Sequence, residues 1–174
     1  MSFSNTVQKF YQEGIKYEDM VMESTMRVFG GYAFHSTKNE DCYSHIDFFW
    51  SPAENSEYKV GFDVKGRRKN SRSDSKYSCD VTWIEVQNVT GRNGWIYGQA
   101  KYISFVTDKD ILYVDRTALV SMYDEKVNKS LVKDSIPSNC YELYQRKGRK
   151  DLIFKAKIED IRNISKYVVP LQIN

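Results

Sequence analysis

Two stretches of alternating residues, "HIDFFW" (45–50) and "VGFDVK" (60–65), constrain the fold of this chain more than any other feature. In the first, Ile46, Phe48 and Trp50 alternate with His45, Asp47 and Phe49. In the second, Val60, Phe62 and Val64 alternate with Gly61, Asp63 and Lys65. A period of two is that of a strand with one face in a core. The segment between them, "SPAENSE", is short and polar, so strands 45–50 and 58–65 are expected to be antiparallel neighbours. Asp63 and Lys65 then share one face, and Asp47 lies on the strand beside them. An anion and a cation on such a strand require an explanation.

The rest of the chain reads around this pair. Residues 5–29 carry an apolar stripe of Tyr11, Ile15, Met22, Met26 and Phe29, widened by Phe10, Tyr17, Val21 and Val28, which predicts an amphipathic helix stopped by Gly30-Gly31. "YAFHS" (32–36) reads as a short strand and "STKNEDCYS" as a loop. After "GRRKNSRSDSK", a basic loop, comes a strand, "VTWIEVQNV" (81–89), then a turn and short helix in "TGRNGWIYGQAKY". "YISFVT" and "ILYVDR" are two strands joined by "DKD", and "TALVSMYDEKV" is a helix with Thr117 as N-cap. Strands near 140–146 and 151–157, with "RKGRK" as their turn, precede a short helix at 158–165. This order predicts an α/β fold with one mixed central sheet flanked by helices, ending in a β-hairpin and a short helix. The 174 residues suit a single domain, with a core over about 5–130 and a hairpin extension over about 138–174.

Composition excludes several classes. At 41% hydrophobic the chain is not disordered. Its three cysteines, Cys42, Cys79 and Cys140, are widely spaced with no C-x-x-C pair, which predicts free thiols in a cytoplasmic protein and no disulfide or zinc framework. No apolar run approaches a membrane span, and the N-terminal stretch has no apolar signal core. There is no P-loop, no H-E-x-x-H and no Ser-His-Asp order, and the two histidines, His35 and His45, do not suggest a general base.

What remains is carboxylate chemistry. Antiparallel pairing brings Asp47 and Asp63 side by side, where two carboxylates about 4 Å apart repel by roughly 1–4 kcal/mol. A divalent cation removes that repulsion, and Mg²⁺ (or Mn²⁺) is commonly held by one or two carboxylates with phosphate and water. Lys65 would orient or deprotonate a water beside it. The competing account is a surface ion pair between Asp63 and Lys65. Two features weigh against it. Glu18 interrupts the apolar stripe of the first helix, and a carboxylate there needs a partner. The loop after Lys65 carries Arg67, Arg68, Lys69, Arg72 and Lys76 against Asp74 alone, the composition of a surface for a nucleic-acid backbone.

"GGYAFHS…HIDFFWS…YKVGFDVKG" resembles the core of the PD-(D/E)XK nuclease superfamily over about residues 10–105. In the archaeal Holliday junction resolvases of that superfamily a helix bearing Glu leads into a glycine and a strand, followed by a strand with Asp and a strand with Glu-x-Lys or Asp-x-Lys. Those positions fall here on Glu18, Asp47, Asp63 and Lys65. The resemblance implies a restriction-endonuclease-like sheet and a metal-dependent endonuclease acting on DNA. Asp47 and Asp63, with the Val64 carbonyl, would be metal ligands and Lys65 the water-activating residue. "WIEVQNVTGRNGWIYGQA" is similar to a stretch in small nuclease-like proteins of phages, which implies nuclease ancestry in a bacterial cytoplasm. One departure stands out: the lysine strand usually leads directly to a helix, and here "WIEVQN" intervenes. An alternative register makes Glu85-Val-Gln87 the E-x-K position, with Gln87 in place of the lysine. The lysine favours Asp63-Val64-Lys65, with Glu85 as a third carboxylate and metal ligand on a strand adjacent to 58–65. Gln99 and Tyr102, three apart on the short helix, are weaker substrate-contact candidates. Many members work as homodimers because two strands need cutting. A non-catalytic nucleic-acid-binding module on the same fold, or a phage protein–protein interaction factor, are the rival functions.

Overall fold

The structure is a computed structural model that describes residues 3–71 and 74–171. Arg72 and the side chains of Phe10 and Tyr11 lie outside the described residues. The first helix, α1 (Phe3–Phe29), ends where Gly30 and Gly31 take φ values of 69° and 73°. A Cβ on Gly31 would fall 2.3 Å from the Ser51 carbonyl oxygen, so only glycine passes here. The turn delivers the chain into an antiparallel meander of β1 (Tyr32–His35), β2 (Phe48–Ser51) and β3 (Val60–Lys65), with a π-helical turn at Glu40–Ser44 between the first two.

The chain then leaves this sheet. It forms β4 (Val81–Gln87) and a single 3₁₀ turn (Trp95–Tyr97) before β5 (Tyr102–Val106) returns to lie parallel to β3. β6 (Asp110–Asp115) pairs antiparallel with β5, and α2 (Arg116–Lys126) follows. The remaining elements are β7 (Val132–Lys133), β8 (Leu143–Gln145), β9 (Leu152–Lys157), α3 (Ile158–Asn163) and β10 (Ser165–Pro170). They make two sheets: six strands in the order β1-β2-β3-β5-β6-β10, and four in the order β4-β9-β8-β7.

α1 covers one face of the larger sheet, where Val21 and Met22 pack with Phe48, Phe62 and Tyr113. On the other face, Ile103, Phe105, Leu112 and Val114 meet Ile84, Val86, Phe154 and Ala156 of the second sheet and Leu119 and Met122 of α2. Full burial of such a side chain stabilises the fold by about 1.5–3 kcal/mol. The result is a mixed α/β fold whose main sheet is mixed and flanked by helices, with a second sheet sharing the work on one face.

Several expectations are corrected. The described strands form two sheets, because strand 81–87 pairs with β9 and not with β3, whose neighbours are β2 and β5. The N-cap of α2 is Asp115, whose carboxylate accepts the Thr117 N–H at 3.0 Å, and not Thr117 itself. Tyr102 opens β5, so it shares no helix with Gln99. Ile46 belongs to the core opposite that of Phe48, because β2 starts only at Phe48 and Ile46 still closes the preceding turn through its N–H to Glu40 O. Among the described residues no helix is long and apolar enough to cross a membrane.

Candidate active site

The antiparallel register sets Phe48 opposite Phe62, so the next residues outward are Asp47 and Asp63. β2 stops short there. Asp47 keeps its backbone N–H on Phe62 O at 2.8 Å, and its Oδ2 accepts the Val64 N–H at 2.6 Å. A side chain thus supplies the acceptor that a longer β2 would have supplied.

Asp63 and Lys65 lie beside Ile103 and Phe105 of β5, both members of the inter-sheet core. The polar face of β3 is therefore the seam between the sheets and not a solvated surface. Asp63 is only 1% exposed. Its Oδ1 is 2.5 Å from Lys65 Nζ, and that ammonium also lies 4.7 Å from the centre of the Trp95 ring. Asp63 Oδ2 is buried with no hydrogen-bond partner among the described residues. Asp47 lies within hydrogen-bonding reach of Asp63 but is itself an acceptor, so the two carboxylates cannot satisfy each other without a proton or a cation between them. Burial pushes the Asp63 carboxyl up to about 8; Lys65 opposes the rise and Asp47 adds to it. A surface ion pair does not describe this arrangement.

Glu18, half-buried on α1, lies 3.7 Å from His35 Nδ1. Burial raises its pKa to about 7, the Asp47 charge adds to the rise, and His35 opposes it. Asp41 joins the same field: burial and Asp47 raise its pKa while Lys65 and His45 lower it. Burial and Lys65 depress His45. The sequence gives no signal for Asp41 or Trp95 as site residues, and for His45 only its place beside Asp47. Asp41 and His45 sit in or beside an aperiodic segment whose π-helical turn no alternation announces, and Trp95 reads simply as core.

Glu85 occupies the second sheet. Burial raises its pKa, and Lys65 and Arg146 pull it down. It thus lies within electrostatic range of Lys65 without being on a strand adjacent to β3. Gln87 Nε2 donates to the Lys150 carbonyl, which commits it to the β8–β9 turn and not to the carboxylates. Among the described residues no group of three or more His, Cys, Asp or Glu side chains is placed to hold a metal ion. The donor set is the smaller one of two carboxylates, with one buried oxygen unpartnered.

The basic loop is not uniform. Arg67 lies over Tyr77, 5.5 Å from its ring centre, and reaches Cys79 Sγ at 3.7 Å. Tyr77 donates to Glu13 Oε2 at 3.0 Å and so ties the loop to α1. Trp83 Nε1 donates to Lys69 O at 3.2 Å. Arg68 and Lys76 are exposed and Lys69 is partly so. Comparison with protein-family models, with curated proteins and with solved structures finds no match.

Proposed function

We propose that the protein is a divalent-cation-dependent phosphodiesterase acting on DNA, of the PD-(D/E)XK type on a restriction-endonuclease-like sheet. The observation that carries this reading is the buried Asp63 Oδ2, without a hydrogen-bond partner among the described residues, beside the Asp47 carboxylate: acceptor against acceptor, with a lysine two residues beyond Asp63. These residues fit Mg²⁺ or Mn²⁺, which accept as few as one or two protein carboxylates when phosphate and water complete the shell. Asp47 and Asp63 would hold the ion, with the Val64 carbonyl as a further ligand. When bound, such an ion stabilises charge on a scissile phosphate and lowers the pKa of a bound water.

The chain's own groups do the rest. Lys65, held between Asp63 and the Trp95 ring, orients or deprotonates the attacking water. Glu18 and Glu85 flank it from α1 and β4 as further acids. Arg68, Lys69 and Lys76, with Arg67 and Arg72 of the same loop, hold the phosphate backbone. The order of a Glu-bearing helix, a glycine turn and an antiparallel meander supports the reading, since it matches what the sequence resemblance implies.

Incubation of plasmid, single-stranded DNA and RNA with Mg²⁺, Mn²⁺ or EDTA tests it. Cleavage of DNA is expected with either metal and not with EDTA. Asp47→Ala and Asp63→Ala should abolish cleavage while circular dichroism shows an intact fold. Lys65→Ala should lower the rate by at least about two orders of magnitude, the scale of an acid–base group, and Gln87→Ala should matter much less. DNA binding without cleavage in any metal would make the protein a binding module instead. Absence of any nucleic-acid affinity would leave a protein–protein factor.

A further inference from the structure

Loop 88–94 runs directly into Trp95, whose ring lies 4.7 Å from Lys65 Nζ, and Gln87 at its other end donates to the Lys150 carbonyl of the β8–β9 turn, so both loops lie on the Glu85 side of the carboxylate site. That turn is firmly rooted. Asp151 is 0% exposed, and Arg146 donates both Nε and Nη2 to its Oδ2. The Arg149 N–H closes the turn on Arg146 O at 3.0 Å, and Gln87 reaches across to the Lys150 carbonyl. A neighbouring loop, 88–94, lies against it: a Cβ on Gly91 would fall 3.2 Å from Lys150 Cδ.

The charge on these two touching loops is one-sided. Arg92, Lys147, Arg149 and Lys150 are all exposed, and none has an ion-pair partner among the described residues. The single acid within 86–94 and 144–151 is Asp151, buried under Arg146. Four like charges gathered on ordered backbone repel one another unless an anion lies across them. Val89 is the exposed large hydrophobic residue on these loops, too little apolar surface for insertion into a lipid bilayer.

We propose that loops 88–94 and 146–151 form a second surface for the phosphate backbone of duplex DNA, on the Glu85 side of the carboxylate site and distinct from the loop that follows Lys65. The proposal rests on the reading of the protein as a DNA phosphodiesterase and assigns the substrate a second strip of backbone contacts. Those contacts position the duplex without reading its bases.

The test is a salt series of duplex binding in EDTA, using two unrelated sequences, with the wild type, a Lys147→Ala/Arg149→Ala/Lys150→Ala variant and a control. The control replaces three exposed lysines elsewhere, Lys109, Lys157 and Lys166, by Ala. Each phosphate contact adds about 0.9 to the slope of log affinity against log salt, so the hairpin variant should flatten it by roughly 2–3 on both sequences. The control should keep the wild-type slope. An unchanged slope in the hairpin variant overturns the proposal, as does equal flattening in the control. Tighter binding of the wild type to phosphatidylserine vesicles than to duplex overturns it too. Cleavage is scored separately. A wild type that binds through the hairpin but never cleaves in any metal retires the phosphodiesterase reading and leaves this surface standing. A wild type that cleaves, with an unaltered hairpin slope, does the reverse.

Discussion

Asp63 is an ordinary residue in an extraordinary solvent, and its proton is where packing meets chemistry. An unfolded aspartate titrates near 3.9, whereas the folded carboxyl titrates at about 8 because burial outweighs its lysine. Between those values the folded state holds a proton that the unfolded state has lost. Stability therefore falls as pH rises from about 4 to about 8 and levels off above. Asp63→Asn removes the titration. Its melting temperature relative to wild type should climb across that window, by roughly 2–8 °C at its alkaline end if the effect is worth about 1–2 kcal/mol. A difference that stays level from pH 5 to pH 8 would sink the argument. Glu18, raised to about 7, acts in the same direction, so Glu18→Gln should show a smaller rise that ends near neutrality. A cation that binds the ionised carboxylate must displace the proton. The gain in melting temperature on adding Mn²⁺ should thus grow from pH 6 to pH 9 and vanish in Asp63→Asn.

At the scale of elements, the site depends on how closely α1 approaches the end of β3. A Cβ on Gly66 would fall 2.3 Å from Tyr17 Cδ2, and Tyr17 precedes Glu18. Gly66→Ala must push that ring and its helix turn aside. A cost of about 1–3 kcal/mol is expected, with cleavage falling as Glu18 and Lys65 lose register. Thermal melts and initial rates on one preparation check both. The same junction shows what the sequence makes legible. The short turn between β2 and β3 restricts the register, and the register alone brings Asp47 beside Asp63. The helix stop at Gly30-Gly31 is equally local. β4 was legible as a strand but not as a member of a second sheet, because its partner β9 lies far along the chain and alternation carries no address. Asp115 and Thr117 are both competent caps, and only the geometry separates them. Asp63 reads as exposed until the second sheet is seen to cover it.

At the scale of the whole molecule, both sheets need the C-terminal third of the chain. β10 completes the main sheet on β6, and β9 backs β4 in the second. Leu143, Phe154, Ala156 and Ile161 enter the inter-sheet core, while Val169 enters the core under α1. Such interleaving predicts one cooperative unit. Phe154 is fully buried and stacks on Tyr123, 5.6 Å between ring centres. Phe154→Ala should cost about 3–5 kcal/mol. If the sheets unfold together, that loss appears undiminished in the main sheet, although the substitution lies outside it. Trp50 reports on the main sheet and Trp83 on the second, so variants retaining either tryptophan alone can be melted side by side. Their fluorescence transitions should coincide with each other and with the far-UV signal, and Phe154→Ala should move both midpoints equally. A Trp50 midpoint that stays in place while that of Trp83 falls would show two independent sheets. Asp63 would then be buried only as long as the second sheet stays closed over it.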